Sequence, residues 1–251
     1  MLKTLQNAFK IKEIREKLLY TFFMLVVIRL GSQLPIPGVD TKFFAELFAR
    51  QSSDAFGFFN TITGGSFTNM SVFALSITPY ITSSIIMQLL TIAIPKLEEM
   101  QREGEDGRKK IAEYTRYLTV GLALMQSIAM SVGFGGRGLL IDFNAVSVIV
   151  AIATMTSGSA MLMWIGERIT ERGVGNGISI VLLFNIISTL PSDMITLYER
   201  FLVGKNVPVA TVSLIIILAI ILAMVVFVIV LQDGERRIPV QYSKKMQGRR
   251  M

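Results

Sequence analysis

Long apolar runs alternate with short polar segments along this chain. A transmembrane helix needs about 20 mostly apolar residues, and a scan for such runs predicts six spans, at residues 18–34, 71–94, 114–132, 145–165, 176–194 and 209–231. The sixth run, VATVSLIIILAIILAMVVFVIVL, has 23 residues, and at about 1.5 Å per residue it is long enough to cross a bilayer. The fifth is the weakest, because its unbroken apolar core, ISIVLLFNIISTL, is too short to span alone. The pattern therefore predicts an all-α, polytopic transmembrane helix bundle that forms a single membrane domain.

The second run is unusual because its middle, SITPYITSSI, holds a proline and five serine or threonine side chains. A proline removes a backbone hydrogen bond inside a helix, so we expect a kink at Pro79. The hydroxyls can bond the freed carbonyls, or face water or a neighbouring helix. Ile77 and Ile81 are four residues apart and would lie on one helical face. On the residues alone, such a pair of isoleucines indicates ordinary helix packing.

Basic residues are distributed asymmetrically about the predicted spans. Of the 25 lysines and arginines, five precede the first span and six lie from Lys96 to Arg116, around the loop between the second and third spans. Two more lie between the fourth and fifth spans, and six follow the sixth, so nineteen fall on one predicted side. Cytoplasmic segments of membrane proteins carry this excess, so the N-terminal residues 1–17 and the start of a loop at 232–251 are predicted to be cytoplasmic. Six crossings agree with this topology, since an even number returns the chain to its starting side. Arg29 lies inside the first span, near the end predicted to be external, where its side chain could reach the interface.

Composition narrows the class of protein further. Hydrophobic residues make up 52% of the chain and charged residues only 17%, a balance typical of a polytopic membrane protein. Because the chain has no cysteine and no histidine, it lacks a thiol nucleophile, a histidine base and the usual zinc ligands. We therefore expect no catalytic residues, no metal site, no cofactor and no small-molecule substrate: the protein is predicted not to be an enzyme. The glycines of GVGNG, at 173–177, lack the flanking strand and the Gly-Lys-Ser/Thr of a phosphate loop, so we interpret them as a flexible re-entry into the membrane.

Two polar segments each allow two interpretations. The 54–70 segment, DAFGFFNTITGGSFTNM, is too short and too polar to span the bilayer. It is either an interfacial helix lying on the outer leaflet or a short helix folded back into the protein. The 235–251 segment, ERRIPVQYSKKMQGRRM, is strongly basic. It would face anionic lipid or dock an acidic or nucleic-acid partner.

A set of motifs in fixed order resembles the bacterial SecY family, the central subunit of the protein-conducting channel. In order along the chain, the motifs are LPIPGVD, FNTITGGSFTNMSVFALSITPYITSSIIMQLL, EGEDGRKKIAEYTRY, MLMWIGERITERGVGNGISI and ERRIPVQYSKKMQGRR. The resemblance extends over essentially the whole sequence. Family members have ten spans, so we expect this chain to correspond to the first six spans and the start of the following loop.

The resemblance implies roles for particular residues. Apolar side chains at the waist of an hourglass pore would form a ring of Ile77, Ile81 and Leu182. The 54–70 segment would be a plug that blocks the external funnel, with Gly57, Phe58, Phe59, Ile62, Gly64, Gly65 and Phe67. The second span would form one side of a lateral gate, through Ser76, Pro79, Thr82 and Ser83. The basic loop would dock a ribosome or motor, through Arg236, Arg237, Lys244, Lys245, Arg249 and Arg250.

The same resemblance implies a function and partners. The chain would be the pore-forming subunit of a translocase in the bacterial plasma membrane, passing unfolded secretory polypeptides across it and releasing membrane helices into the lipid. Its partners would be the SecE and SecG subunits and, on the cytoplasmic side, the SecA motor or a ribosome, with contact to ribosomal RNA. Two other hypotheses remain open on the residues alone. Arg29, together with helices interrupted by glycine and proline, is compatible with a secondary transporter, and a non-transporting membrane scaffold is compatible with the apolar spans.

Overall fold

A computed structural model describes residues 11–42, 46, 54–201 and 207–235. Within these ranges the fold is all-helical, as the apolar pattern predicts. Its helices are α1 (Lys12–Gln33), α2 (Asp54–Thr63), α3 (Thr78–Ala93), α4 (Pro95–Arg102), α5 (Glu105–Phe134), α6 (Ala145–Arg172), α7 (Gly177–Phe201) and α8 (Val207–Gln232). A short π-helical turn, Gly135–Leu139, follows α5. The chain divides after Pro191 into two compact units.

Four of the described helices are long and apolar enough to cross a membrane, namely α5, α6, α7 and α8. A fifth crossing results if α3 and α4, which meet at an angle of 101°, are counted as one broken span. Helix α1 has 22 residues, but every 18-residue stretch of it contains at least three charged side chains. The protein is therefore a multi-pass helical membrane protein, with four to five crossings by this criterion where the apolar runs alone predict six.

The second apolar run is only partly helical. Residues 71–77 form turns, and α3 begins at Thr78. Pro79 consequently lies in the first turn of α3, where its missing N–H would have had no partner inside the helix. The expected kink at Pro79 is therefore wrong: this proline starts the helix. The sharp bend comes later, at Pro95, which opens α4.

Helix α5 packs against both α3 and α6. Its buried side is a row of small residues, most of them at four-residue spacing. Helix α3 buries residues at the same spacing, of which Ser83 and Thr91 carry hydroxyls. Small side chains let helix backbones approach closely and let hydroxyls bond within the interface, which is how helices associate in lipid. The α5 row consists of Gly107, Thr115, Thr119, Ala123, Ser127 and Ser131.

Two apolar clusters form the core of the first unit. The first core cluster joins α5 and α6 to the segments that precede and follow α2, through Ile36, Val39, Phe67, Met70, Ala74, Leu75, Ala123, Leu139, Leu140, Ala151 and Met155. The second core cluster joins α1, α6 and α7 to the start of α3, through Ile28, Phe73, Ile77, Leu162, Ile165, Ile169 and Val181. The connections that follow α1, α2 and α5 are tied by backbone hydrogen bonds, such as Ile36 N–H to the Met70 carbonyl and Asp40 N–H to the Leu139 carbonyl.

The glycine-containing turn between α6 and α7 is well bonded. The Val174 N–H donates to Thr21 Oγ1 of α1 at 3.2 Å, and the Gly177 N–H donates to Thr170 Oγ1 at 2.8 Å. Asn176 Oδ1 accepts from the first amides of α7. These bonds fix a tight turn from which the chain continues directly into α7, and the flexibility expected for this segment stays a prediction. Helix α7 then runs for 25 residues, well beyond the short apolar core visible in the sequence.

In the second unit, helix α8 buries none of its described side chains, and most of them are exposed. Its apolar residues cover the whole circumference, since residues 210–231 include no charged side chain. A helix that is apolar all round is stable only in lipid or against other protein. Helix α8 is therefore a membrane helix by its own composition.

Candidate functional site

The start of α3 places the two isoleucines of the predicted pore ring. Ile77 is the N-cap of α3, has no exposed surface and packs in the second core cluster. Ile81 is half-buried one turn later and packs against the same cluster. Leu182, on α7, is half-buried beside the fully buried Val181. The structure thus brings Ile77 and Ile81 together on one face, as their spacing predicts.

The 54–70 segment is a helix followed by a compact turn. Asn60 organises it, since Asn60 Oδ1 accepts from both the N–H and the Oγ1 of Thr68. Gly64 and Gly65 follow the helix with positive φ values of 67° and 81°, a conformation that glycine adopts without a steric penalty. The Gly65 N–H returns to the Asn60 carbonyl, so the helix ends in a closed turn.

This segment is packed into the first unit. Phe59 and Phe67 meet edge to face with their ring centroids 4.8 Å apart, and Phe67 and Met70 are buried in the first core cluster. Thr63 is fully buried, while Gly57 and Phe58 are exposed and Ile62 is half-buried. A helix that only lay on a lipid surface would not bury its final turn inside the protein. The structure therefore favours the folded-back helix over the interfacial one.

A chain of polar contacts links this segment to α1, α7 and the start of α3. Arg29 Nη1 donates to the Gly64 carbonyl at 3.1 Å and to Ser188 Oγ at 3.1 Å. Ser188 Oγ donates to the Asn185 carbonyl, and Asn185 Nδ2 donates to Ser76 Oγ at 3.1 Å. Ser76, in turn, immediately precedes Ile77. We call these residues, together with Ser159, the polar network.

Ser76 adopts a left-handed conformation that its neighbours hold in place. Its φ is 53°, which costs a residue with a Cβ about 1–2 kcal/mol. Ser159 of α6 donates to the Ser76 carbonyl at 3.3 Å, while Asn185 bonds the hydroxyl. The turn before α3 is therefore fixed from two sides, and this positions Ile77.

The other two hydroxyls predicted for the lateral gate, those of Thr82 and Ser83, bond within α3. Thr82 Oγ1 donates to the Thr78 carbonyl at 3.1 Å, and Ser83 Oγ donates to the Pro79 carbonyl at 2.7 Å. Both hydroxyls thereby have an acceptor inside their own helix, whereas the buried Thr78 Oγ1 has no partner among the described residues. Ser83 is fully buried and Thr82 half-buried.

Three members of the polar network were not singled out from the sequence. Asn185 is the one amide in the apolar core of the fifth predicted span, and Ser159 and Ser188 lie in spans four and five. A polar side chain inside a span usually faces other protein, and that signal could have identified Asn185. The sequence predicts that the Arg29 side chain reaches the interface. In the structure it bonds the Gly64 carbonyl and Ser188 Oγ instead. The six basic residues predicted to dock a ribosome or motor, from Arg236 to Arg250, lie outside the described residues.

The apolar helices of this bundle are packed through small and hydroxyl residues, and a short helix is folded back against them. These features define a polytopic α-helical membrane protein. The sequence profile of SecY matches residues 71–251. The chain belongs to the SecY family.

Two curated relatives give the extent of this likeness. The protein translocase subunit SecY of Pseudomonas aeruginosa is 40% identical over 241 residues, which cover 96% of this chain and 54% of that protein. SecY of Halalkalibacterium halodurans is 42% identical over 255 residues, covering 99% of this chain and 58% of that protein. The chain thus spans about half the length of the curated relatives it matches.

A solved structure shares the fold. Sec61 in the canine ribosome–channel complex from the endoplasmic reticulum superposes with a TM-score of 0.52 at 19% sequence identity, over 93% of this chain and 51% of that one. At this level of identity the likeness concerns the fold alone.

Proposed function

We propose that this chain forms the N-terminal part of the pore of a protein translocase, which passes unfolded secretory polypeptides across the bacterial plasma membrane and releases membrane helices into the lipid. Membership of the SecY family supports this proposal. In it, Ile77, Ile81 and Leu182 form an apolar ring, and the 54–70 segment is the plug that closes it. A ring of branched apolar side chains offers no hydrogen bonds to water or ions, so it can exclude both when closed.

One structural observation carries the proposal: the 54–70 segment and the start of α3 meet at the same residue. Gly64 packs so closely on α7 that a Cβ there would lie 3.1 Å from Asn185 Cα. Asn185 also bonds Ser76, which precedes Ile77. A plug and the ring it closes must be neighbours, and Asn185 contacts both the 54–70 segment and Ser76, the residue that precedes Ile77. Movement of the segment would therefore change the contacts of Asn185 and, through Ser76, the position of Ile77.

The proposal includes partners and an energy source. The basic residues from Arg236 to Arg250 would dock a SecA motor or a ribosome, including its RNA, on the cytoplasmic side, where both termini of this chain lie. Positive charge binds phosphate without reading sequence. Small SecE and SecG subunits would complete the channel. The energy for transport would come from the motor or from translation, so the chain itself is not an enzyme.

The hypothesis of a secondary transporter is less well supported. This hypothesis depends mainly on Arg29 as a charged residue within a span. Ion coupling within a membrane relies on ionisable partners at the substrate site. Among the described residues, the ion pairs do not include Arg29, which bonds a carbonyl and a hydroxyl.

Site-specific photocrosslinking tests the proposed pore. A crosslinking amino acid is placed at Ile77 or Ile81 in a family-length chain that carries this sequence, and a secretory polypeptide is stalled in the complex. We expect adducts from both positions. The control is Ile149, on α6 and 64% exposed, which faces away from the clusters. Adducts of equal yield at Ile149, or none at Ile77 and Ile81, would exclude the proposed pore.

A further inference from the structure

Arg29 is a charged side chain in an apolar part of the molecule that the proposed pore does not use. It lies in the last turns of α1, half-buried, within the run FFMLVVIRLGS. A charge in such surroundings is unfavourable unless polar groups surround it. Its described hydrogen-bond partners are the Gly64 carbonyl and Ser188 Oγ. The position of this charge is therefore tied to the 54–70 segment.

The partner carbonyl stands at a special place. Gly64 is the first residue after α2, which ends at Thr63. The last carbonyls of a helix lack partners inside the helix and carry the negative end of its dipole. A guanidinium that donates to this carbonyl satisfies an orphan acceptor and places positive charge at the favourable end. The contact thus stabilises both the arginine and the end of α2.

The same guanidinium nitrogen also holds α7. Arg29 Nη1 donates to Ser188 Oγ, and both of its hydrogen bonds are 3.1 Å long. Gly64 is seated against this part of α7, since a Cβ at Gly64 would lie 3.0 Å from Ser188 Oγ. One side chain of α1 therefore fastens the 54–70 segment to α7 at a point where the two already touch.

We propose that Arg29 is the positioning residue that latches the 54–70 segment onto α7 in the resting protein. The inference rests on the proposed function in one respect, namely that the segment moves when the channel opens. Both acceptors are neutral, so the latch is a pair of charge-assisted hydrogen bonds and not a salt bridge. Such bonds are strong enough to hold a segment and weaker than a buried ion pair, which is expensive to break.

Cysteine labelling measures the latch without any transport. The chain contains no cysteine, so single reporters can be introduced into a cysteine-free, family-length chain that carries this sequence. Ser66, 2% exposed, reports on the segment. Ser131, fully buried on α5 and with no hydrogen-bond partner for its Oγ among the described residues, reports on global unfolding. Ser66→Cys and Ser131→Cys are each labelled with a maleimide in lipid nanodiscs, where both faces are open to the reagent.

The informative variant is Arg29→Met, which keeps a long unbranched side chain and removes the guanidinium. We expect labelling at position 66 to accelerate tenfold or more, with the rate at position 131 unchanged. Arg15→Met is the matched control: it removes an exposed arginine from the same helix, and neither reporter should respond.

Three results would overturn the latch. They are an unchanged rate at position 66 in Arg29→Met, an equal acceleration at positions 66 and 131, and an equal effect of Arg15→Met. Because the resting protein is labelled with no substrate present, these outcomes are independent of the crosslinking that tests the pore. The labelling can therefore contradict the latch without contradicting the pore, and the crosslinking can contradict the pore without contradicting the latch.

Discussion

Asn185 Nδ2 donates to Ser76 Oγ at 3.1 Å, and both residues are buried. This bond joins α7 to the turn that starts α3, across 109 positions of sequence. It connects the seat of the 54–70 segment with the residue that precedes Ile77. The arrangement of the proposed pore therefore depends on an amide–hydroxyl contact as well as on apolar packing.

Replacing Asn185 with alanine should destabilise the protein by about 1–3 kcal/mol, because it leaves a strained turn and a buried hydroxyl without their partner. A double-mutant cycle with Ser76→Ala should give a coupling energy of about 1 kcal/mol, measured from the free energy of unfolding in detergent micelles. Thr154→Ala is the matched control, since the exposed Thr154 hydroxyl bonds only the Val150 carbonyl of its own helix. Additive effects of Asn185→Ala and Ser76→Ala would contradict the assigned contact.

Gly158 of α6 should not tolerate a side chain. A Cβ there would lie 2.0 Å from the Val72 carbonyl oxygen, so α6 or the 71–77 turns would have to move. We expect Gly158→Ala to cost about 2 kcal/mol or more in unfolding free energy, as overpacked sites do. Gly121 of α5 provides the opposite case, because a Cβ added there would meet no other atom within 4 Å. Gly121→Ala should be neutral or stabilising, by up to about 1 kcal/mol. Equal effects of the two substitutions would refute this close approach.

Arg116 of α5 and Glu167 of α6 join the ends of two spans. Arg116 Nε donates to Glu167 Oε1 at 2.8 Å, and the side chains are 46% and 20% exposed. Solvent screens such a pair, so a double-mutant cycle should give a coupling below about 1 kcal/mol that falls as salt is added. The Arg168–Glu171 pair, which has the same length within α6, should couple by about 0.5 kcal/mol or less. A coupling for Arg116 and Glu167 that does not respond to salt would argue against an exposed ion pair.

The apolar pattern predicts the helices well and their ends poorly. Predicted spans 114–132 and 145–165 lie inside α5 and α6, which continue to Glu105 and to Arg172 through charged residues. Charged residues such as lysine, arginine and glutamate are good helix formers in water, so hydropathy cannot show where such a helix stops. Residues 71–77 are apolar enough for a span, yet they form turns because Val72 N–H bonds the distant Leu34 carbonyl. A contact between segments far apart in sequence leaves no local signal.

The candidate site, too, can be predicted only in part from the sequence. The four-residue spacing of Ile77 and Ile81 is visible in the sequence, and the structure places both on the second core cluster. The contacts of Arg29 span 35 and 159 positions, so no local pattern contains them. The sequence shows only that a charge and an amide lie in apolar runs and need partners. Which partners they find depends on how the helices pack.

Ion conductance tests the central claim, an apolar ring at Ile77 and Ile81, most directly. The double variant Ile77→Ser, Ile81→Ser is placed in a family-length chain that carries this sequence, assembled with its partner subunits in planar bilayers. Leu162→Ser is the control, because Leu162 is buried to 1% exposure in the same core cluster on α6. Its replacement disturbs the packing of that cluster but keeps both isoleucine side chains of the ring. We predict that the resting double variant conducts ions well above the parent protein, while Leu162→Ser does not. A double variant as tight as the parent, or a leak of equal size from Leu162→Ser, would contradict the ring.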